Sequence, residues 1–286
     1  MVNFNSRLKD TRLHKFLLIG LFFSLVASCS GEKIDNGQVF RMPISNEPPT
    51  LDWSLATDSV SFDILTNIME GLTQYDSNME PVPAIAKRWE ISKNGKTITY
   101  YLRDDVFWTD GKPVTAHDFE YSWKRLLNPA TAAQYAYFLF DVENAQEFNS
   151  GKIIDPSKVG VSAKTDHILE VRLKKPVVYF PSITTFMVTF PQRKDIVEKF
   201  GDHWTDPENI VTNGPFKLSA WEHEYKLILT ANENFYEGRP PLDTILAYVI
   251  REKTTALTLY ETGELEMVEL PPVAIPHFKN HDEYEN

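Results

Sequence analysis

Short alternating stretches and longer helical repeats of apolar residues divide this chain into elements. Residues 38–44 alternate weakly and predict a strand, which Glu47-Pro48-Pro49 breaks. Val60, Ile64, Leu65, Ile68, Met69 and Leu72 share one face of a helix over residues 58–72, with Gly71 near its end. Pro81 and Pro83 bracket a turn, and residues 84–89 predict a helical turn with Ile85 and Trp89 on one side. Lys93-Asn94-Gly95-Lys96 predicts a hairpin, because Asn-Gly tolerates positive φ at both turn positions. In the strand over 97–102, Ile98, Tyr100 and Leu102 point one way. After the turn at residues 109–113, Thr115 and Asp118 form a capping box, a device worth ~1 kcal/mol. Phe119, Trp123, Leu126 and Leu127 give the helix behind it a buried stripe, and Asn128-Pro129 ends it. Residues 132–149 predict a helix stopped by Gly151. Strands follow at 168–173, 177–180 and 186–190. Asn213-Gly214-Pro215 turns the chain into strands at 216–220 and 225–230. A strand at 245–250 and a helix at 254–262, stopped by Gly263, complete the series.

The run over residues 16–27 is of another kind, since it is apolar almost throughout. A membrane-spanning helix needs about 20 residues, whereas this length suits the apolar core of a signal peptide. Arg7, Lys9, Arg12 and Lys15 supply the basic flank. At its end, Val26-Ala27-Ser28-Cys29 resembles a bacterial lipobox, so Cys29 is the expected site of lipidation. Cys29 is the sole cysteine, which excludes an intrachain disulfide and argues against cysteine zinc sites. Cleavage before Cys29 would remove four basic residues and one acid, making the formal net charge of −11 more negative. Such a balance disfavours nucleic acid and anionic surfaces as partners.

Catalytic patterns fail on inspection. Gly95-Lys96-Thr97 ends like a phosphate-binding loop, but Glu90 stands where that loop needs glycine. His223-Glu224 is followed by Leu227 where a zinc-protease helix needs its second histidine. No Gly-x-Ser-x-Gly elbow occurs. Enzyme activity, a cofactor and a resident metal are therefore not expected.

One long block carries a resemblance. Ala86-Lys87-Arg88-Trp89-Glu90-Ile91-Ser92 leads into Thr97-Ile98-Thr99-Tyr100-Tyr101-Leu102-Arg103. Trp108-Thr109-Asp110-Gly111-Lys112-Pro113-Val114-Thr115-Ala116-His117-Asp118-Phe119 follows, then Tyr121-Ser122-Trp123-Lys124-Arg125. This order resembles the signature region of the family 5 extracellular solute-binding proteins of ABC importers. Leu51-Asp52 and Met69-Glu70-Gly71-Leu72 fit its start. Lys199-Phe200-Gly201-Asp202-His203-Trp204, residues 209–218 and Asn232-Glu233-Asn234-Phe235-Tyr236 are similar to the oligopeptide-binding branch.

The resemblance implies mixed α/β lobes of a type II periplasmic-binding-protein clamshell. It divides the chain into a signal peptide (1–28), a tether (29–37), a first part of lobe I (38–69), an inserted subdomain (70–191) and a continuation of lobe I (192–286). The second lobe is expected to be missing, which would make this a C-terminally truncated fragment that binds peptide weakly or not at all. The implied function is capture of oligopeptides outside the cytoplasmic membrane, in the periplasmic space, by a lipid-anchored protein. Implied partners are oligopeptides, the permease and ATPase subunits of the importer, and the membrane through its anchor. Tyr135 matches a cleft tyrosine of the branch, and Ser59 a backbone segment that pairs with the peptide. Trp89, Trp108 and Trp123 are expected in the core. Competing cargoes are nickel complexes, haem and murein peptides, and a non-transporting envelope lipoprotein or sensor is the other alternative.

Overall fold

A computed structural model describes residues 37–279. The expected signal peptide, Cys29 and residues 29–36 of the expected tether lie outside the described residues, as do residues 280–286. In chain order the described elements begin with β1 (Val39–Ile44), α1 (Ser59–Ile68), β2 (Thr73–Tyr75), β3 (Pro81–Pro83), β4 (Ala86–Ile91) and β5 (Thr97–Leu102). Then come α2 (Ala116–Leu127), α3 (Ala145–Asn149), β6 (Val161–Thr165), β7 (Ile168–Arg172), α4 (Phe180–Ile183) and α5 (Lys194–Phe200). The last are β8 (Phe216–Glu222), β9 (Lys226–Ala231), β10 (Thr244–Val249), α6 (Lys253–Glu261) and α7 (Ile275–Phe278).

Two four-stranded sheets organise these elements. The first runs β1-β10-β9-β8, with β1 parallel to β10 and the other pairs antiparallel. The second runs β4-β5-β7-β6 and is antiparallel throughout. A ribbon of β2 and β3 forms a third, smaller sheet. One apolar core lies under both large sheets. The α2 stripe enters it as its spacing predicts: Phe119, Trp123, Leu126 and Leu127 are all fully buried. Each such side chain contributes about 1.5–3 kcal/mol by leaving water. At the start of α2 the Asp118 carboxylate accepts from the Thr115 backbone N–H (2.8 Å) and hydroxyl (3.0 Å). Trp108 and Trp123 are buried, while Trp89 is half-buried against the core.

The structure departs from the sequence expectations where tertiary partners override local pattern. Residues 84–89 are no helical turn; β4 pairs with β5, and Trp89 lies opposite Tyr100. Pro81 and Pro83 belong to a strand, spaced by two so that their missing N–H groups fall on one edge. The Asn94-Gly95 hairpin forms, but only Gly95 has a positive φ, +68°. The Gly95 N–H donates to the Ser92 carbonyl at 2.8 Å. Residues 132–149 do not make one helix, because Ala132 and Asn144 adopt left-handed φ values of 53° and 60°. Residues 177–180 and 186–190 are not strands. Instead the Trp123 indole donates to the Thr189 carbonyl (2.7 Å) and the Ser122 hydroxyl to that of Phe190 (2.6 Å). Side chains thus satisfy carbonyls that a neighbouring strand would otherwise take. β6 and α5 have no counterpart among the expected elements.

The segment from Thr212 to Gly214 stitches the two sheets together. Gly214 donates its N–H to the Ile68 carbonyl at 2.9 Å, at the end of α1. Asn213 Oδ1 accepts the Glu70 N–H at 2.9 Å. Thr212 and Thr109 exchange bonds, the Thr109 N–H to the Thr212 carbonyl (2.8 Å) and the Thr212 N–H to Thr109 Oγ1 (3.1 Å). Asn232 Nδ2 holds the Gly214 carbonyl from the sheet side at 2.8 Å. A second clamp is ionic. Arg125, in the last turn of α2, donates to both oxygens of buried Asp52, at 2.9 and 2.6 Å. The Trp204 indole completes that carboxylate at 3.2 Å.

Beside the stitch, the Tyr236 hydroxyl donates to Glu70 Oε2 at 2.7 Å, and the Arg103 guanidinium lies 4.6 Å from the Tyr236 ring centre. Burial pushes the Glu70 carboxyl up to about 7; the Glu237 charge adds to this, while the Tyr236 hydroxyl and Arg103 oppose it.

Two outcomes follow. A Cβ at Gly214 would lie 2.5 Å from the Ile68 carbonyl carbon and 2.6 Å from the Met69 nitrogen, both backbone atoms. Gly214→Ala is therefore expected to cost about 3 kcal/mol or more in urea unfolding. A free glutamate titrates near 4.3, so between about pH 4 and pH 7 the folded chain holds a proton at Glu70 that the unfolded chain has lost. Stability contributed by this group is full at the acid end and lost as pH rises through 7, by an amount on the order of 3 kcal/mol. From about pH 5 to about pH 8, the melting temperature is expected to fall further in the parent chain than in Glu70→Gln.

Candidate functional site

Local chemistry fixes the start of α1. Asp58 is its N-cap, with Oδ1 accepting the Ser61 N–H at 2.9 Å and Oδ2 the Ser61 hydroxyl at 2.7 Å. Such a cap satisfies a donor that helix geometry leaves without a partner. Ser59 is the first helical residue and is exposed, so it sits in a helix rather than in an extended strand. Val60, Ile64, Leu65 and Ile68 turn inward, which leaves Ser59, Phe62, Asp63 and Thr66 along the outer face. The Asp63 carboxyl is raised, first by burial and then by the Asp58 charge.

Tyr135 reaches this end of α1 from a distant part of the sequence. It lies in a 3₁₀ stretch, Gln134–Leu139, at φ −94° and ψ 15°. The left-handed Ala132 just before redirects the chain out of the preceding turn, Pro129–Thr131. Across the gap the Tyr135 hydroxyl donates to the Thr57 carbonyl at 3.3 Å, two residues before Ser59. The structure thus brings Ser59 and Tyr135 to one place, and Cys29 is outside the described residues.

Sequence reasoning missed the aromatic cluster around Tyr135. Its ring centre is 6.2 Å from Phe62, 5.9 Å from Tyr137, 5.5 Å from Phe138 and 5.9 Å from Phe186. Phe138 also packs on Phe186 at 4.7 Å, and Phe186 meets Phe62 edge-on at 5.5 Å. The density of rings in Tyr135-Ala136-Tyr137-Phe138 was the available signal. A helix through these residues would have spread them around its axis; the 3₁₀ turn gathers them. Together they form a half-buried aromatic shelf bordering the capped end of α1. Chemically the shelf offers ring faces, a tyrosine hydroxyl and carboxylates, with no nucleophile–base pair.

A cavity of about 700 Å³ lies by the last turns of α2 and residues 151–156, and neither Ser59 nor Tyr135 lines it. Among the described residues no three His, Cys, Asp or Glu side chains converge as a metal site. No described helix is long and apolar enough to cross a membrane.

The sequence model of the bacterial extracellular solute-binding proteins, family 5 middle, matches residues 80–286. The chain belongs to this family. Among curated relatives, the dipeptide-binding protein DppE of Bacillus subtilis is 34% identical over 268 residues, covering 89% of this chain and 49% of that protein. The oligopeptide-binding protein OppA of the same organism is 36% identical over 270 residues, covering 90% and 49%. The substrate-binding domain of an oligopeptide ABC transporter from Bacillus anthracis superposes with a TM-score of 0.82 at 36% identity, over 88% of this chain and 49% of that one. The mixed α/β fold expected from sequence is the one found. This family 5 chain spans about half the length of the curated relatives it matches.

Tyr135→Phe removes one hydrogen bond and leaves the ring in place. It is expected to cost about 0.5–1 kcal/mol in urea unfolding, and Tyr135→Ala, which opens the cluster, at least twice as much.

Proposed function

We propose that this chain supplies one wall of an oligopeptide-capturing site in a solute-binding protein that feeds an ABC importer. The observation that carries the reading is the junction of Ser59, Thr57 and Tyr135 at the capped end of α1, beside the aromatic shelf. Every peptide presents the same backbone N–H and C=O groups, so main-chain pairing beside Ser59 would tolerate many sequences. Tyr135 would cover the ligand with its ring. Membership of a solute-binding family and likeness to dipeptide- and oligopeptide-binding relatives support peptides as the cargo. Within this reading residues 38–69 and 192–286 belong to one lobe and 70–191 form an inserted subdomain. The grouping of β1 with β8, β9 and β10 in one sheet and β4 to β7 in another supports that division. Cys29, after cleavage and lipidation, would tether the protein outside the cytoplasmic membrane, where it would pass cargo to a permease driven by an ATPase.

Nuclear magnetic resonance titration of the 286-residue chain with short alanine-based peptides tests the site. At millimolar peptide, saturable shifts are expected in the amides around Thr57, Ser59 and Tyr135. Shifts scattered over the surface, or none, would remove peptide capture from this wall. For the anchor, the chain expressed in bacteria is expected to gain acyl mass and partition with membranes. Cys29→Ser is expected to do neither.

A further inference from the structure

Tyr137 stands apart from the other rings of the shelf. It is 54% exposed, whereas Phe62, Tyr135, Phe138 and Phe186 are only partly accessible and pack on the core. Exposed tyrosines are commonplace on protein surfaces, and exposure alone carries nothing. What distinguishes this ring is how it is held. Phe138 lies nearly parallel beneath it, with centres 4.7 Å apart and planes inclined by 25°. Tyr135 meets it edge-on at 5.9 Å and 86°. Phe138 rests in turn on Phe186, so the support continues inward without a break. Phe138 covers one face of Tyr137, Tyr135 braces it, and more than half of the residue stays exposed.

We propose that the exposed side of Tyr137 is a stacking platform for one planar side chain, aromatic or guanidinium, of a peptide bound along the start of α1. The inference rests on the peptide-capture reading and names the side-chain class that this wall selects. A ring already immobilised by two neighbours loses little further freedom when a ligand stacks on it, so more of the contact energy survives as affinity. Stacked and edge-on rings gain beyond the area they bury, and a guanidinium gains from the ring quadrupole. A branched aliphatic side chain shares the apolar burial but neither of these. Charge in the neighbourhood acts in the same direction. Asp58 caps and Asp63 lies on α1, the helix whose Phe62 packs against Tyr135. Acidic side chains would be repelled from the platform, while arginine would be accepted.

The test compares peptides of one length that carry leucine, phenylalanine, arginine or glutamate at a single position, scanned through the sequence. Binding to the 286-residue chain is read by nuclear magnetic resonance. At one position phenylalanine and arginine are expected to bind about two- to tenfold more tightly than leucine, and glutamate more weakly than leucine. Tyr137→Ala is expected to erase that ranking, its amide spectrum showing that the chain is still folded. Tyr137→Phe is expected to keep the ranking. A ranking that survives in Tyr137→Ala would overturn the platform, as would a uniform loss for all peptides or no ranking in the parent chain. Failure of every peptide to bind would instead sink the underlying capture reading, and the platform with it.

Discussion

A glycine backbone pressed against the end of a helix holds this molecule in register. Gly214 and Ile68 approach so closely that no side chain fits between them, and the N–H of one meets the carbonyl of the other. The contact joins the exit of α1 to the entrance of β8. Asn213 and Thr212 extend it to Glu70 and to the Thr109 turn, which belongs to the other sheet's region. Backbone hydrogen bonds are strong and directional, and they leave little slack when both partners are buried. One short segment therefore sets where α1 sits relative to both sheets. Asp52 and Arg125 add an ionic clamp between the loop before α1 and the end of α2. Paired and hydrogen-bonded on both sides, these charges are much costlier to break than to keep.

That placement matters for the shelf, because Phe62 alone among its rings stands on an α-helix. Its rings come from α1, from the 3₁₀ stretch Gln134–Leu139 and from the loop containing Phe186. The last two segments are irregular or short, and each is fixed by what it packs upon. The Tyr135 hydroxyl on the Thr57 carbonyl ties the stretch to the loop before α1. Phe62, Tyr135, Phe138 and Phe186 are thereby held against the core on their inner side. Glu70 introduces a contrast. A carboxyl that burial raises to about 7 makes the joint between sheets sensitive to pH near neutrality, whereas the ring contacts of the shelf include no carboxyl.

Family membership and site geometry answer different questions here. Matching residues 80–286 to the family 5 solute-binding proteins establishes kinship and fold. It does not say which side chains of this chain meet a ligand. The arrangement at α1 motivates the peptide-wall proposal, and the pinned, exposed ring of Tyr137 the proposed side-chain preference. The chain spans about half the length of these relatives.

Sequence alone determined the elements whose pattern is self-contained. The α2 stripe, the face of α1, the alternation in β5 and the turns at Gly95 and Gly263 follow from spacing and from glycine's freedom. It also determined kinship, because the long ordered block from Ala86 to Arg125 is specific. Tertiary structure decided the rest, for a common reason: the deciding partner is far away along the chain. β4 is a strand because β5 pairs with it, and residues 186–190 are not a strand because Trp123 and Ser122 take their carbonyls. Tyr135 could be picked out as a candidate by its resemblance to a cleft tyrosine of the oligopeptide-binding branch. Its neighbours Phe62 and Phe186 could not, since only folding brings residues so distant in sequence within ring contact. Local pattern records what a residue prefers, whereas burial beside a distant partner determines what it does.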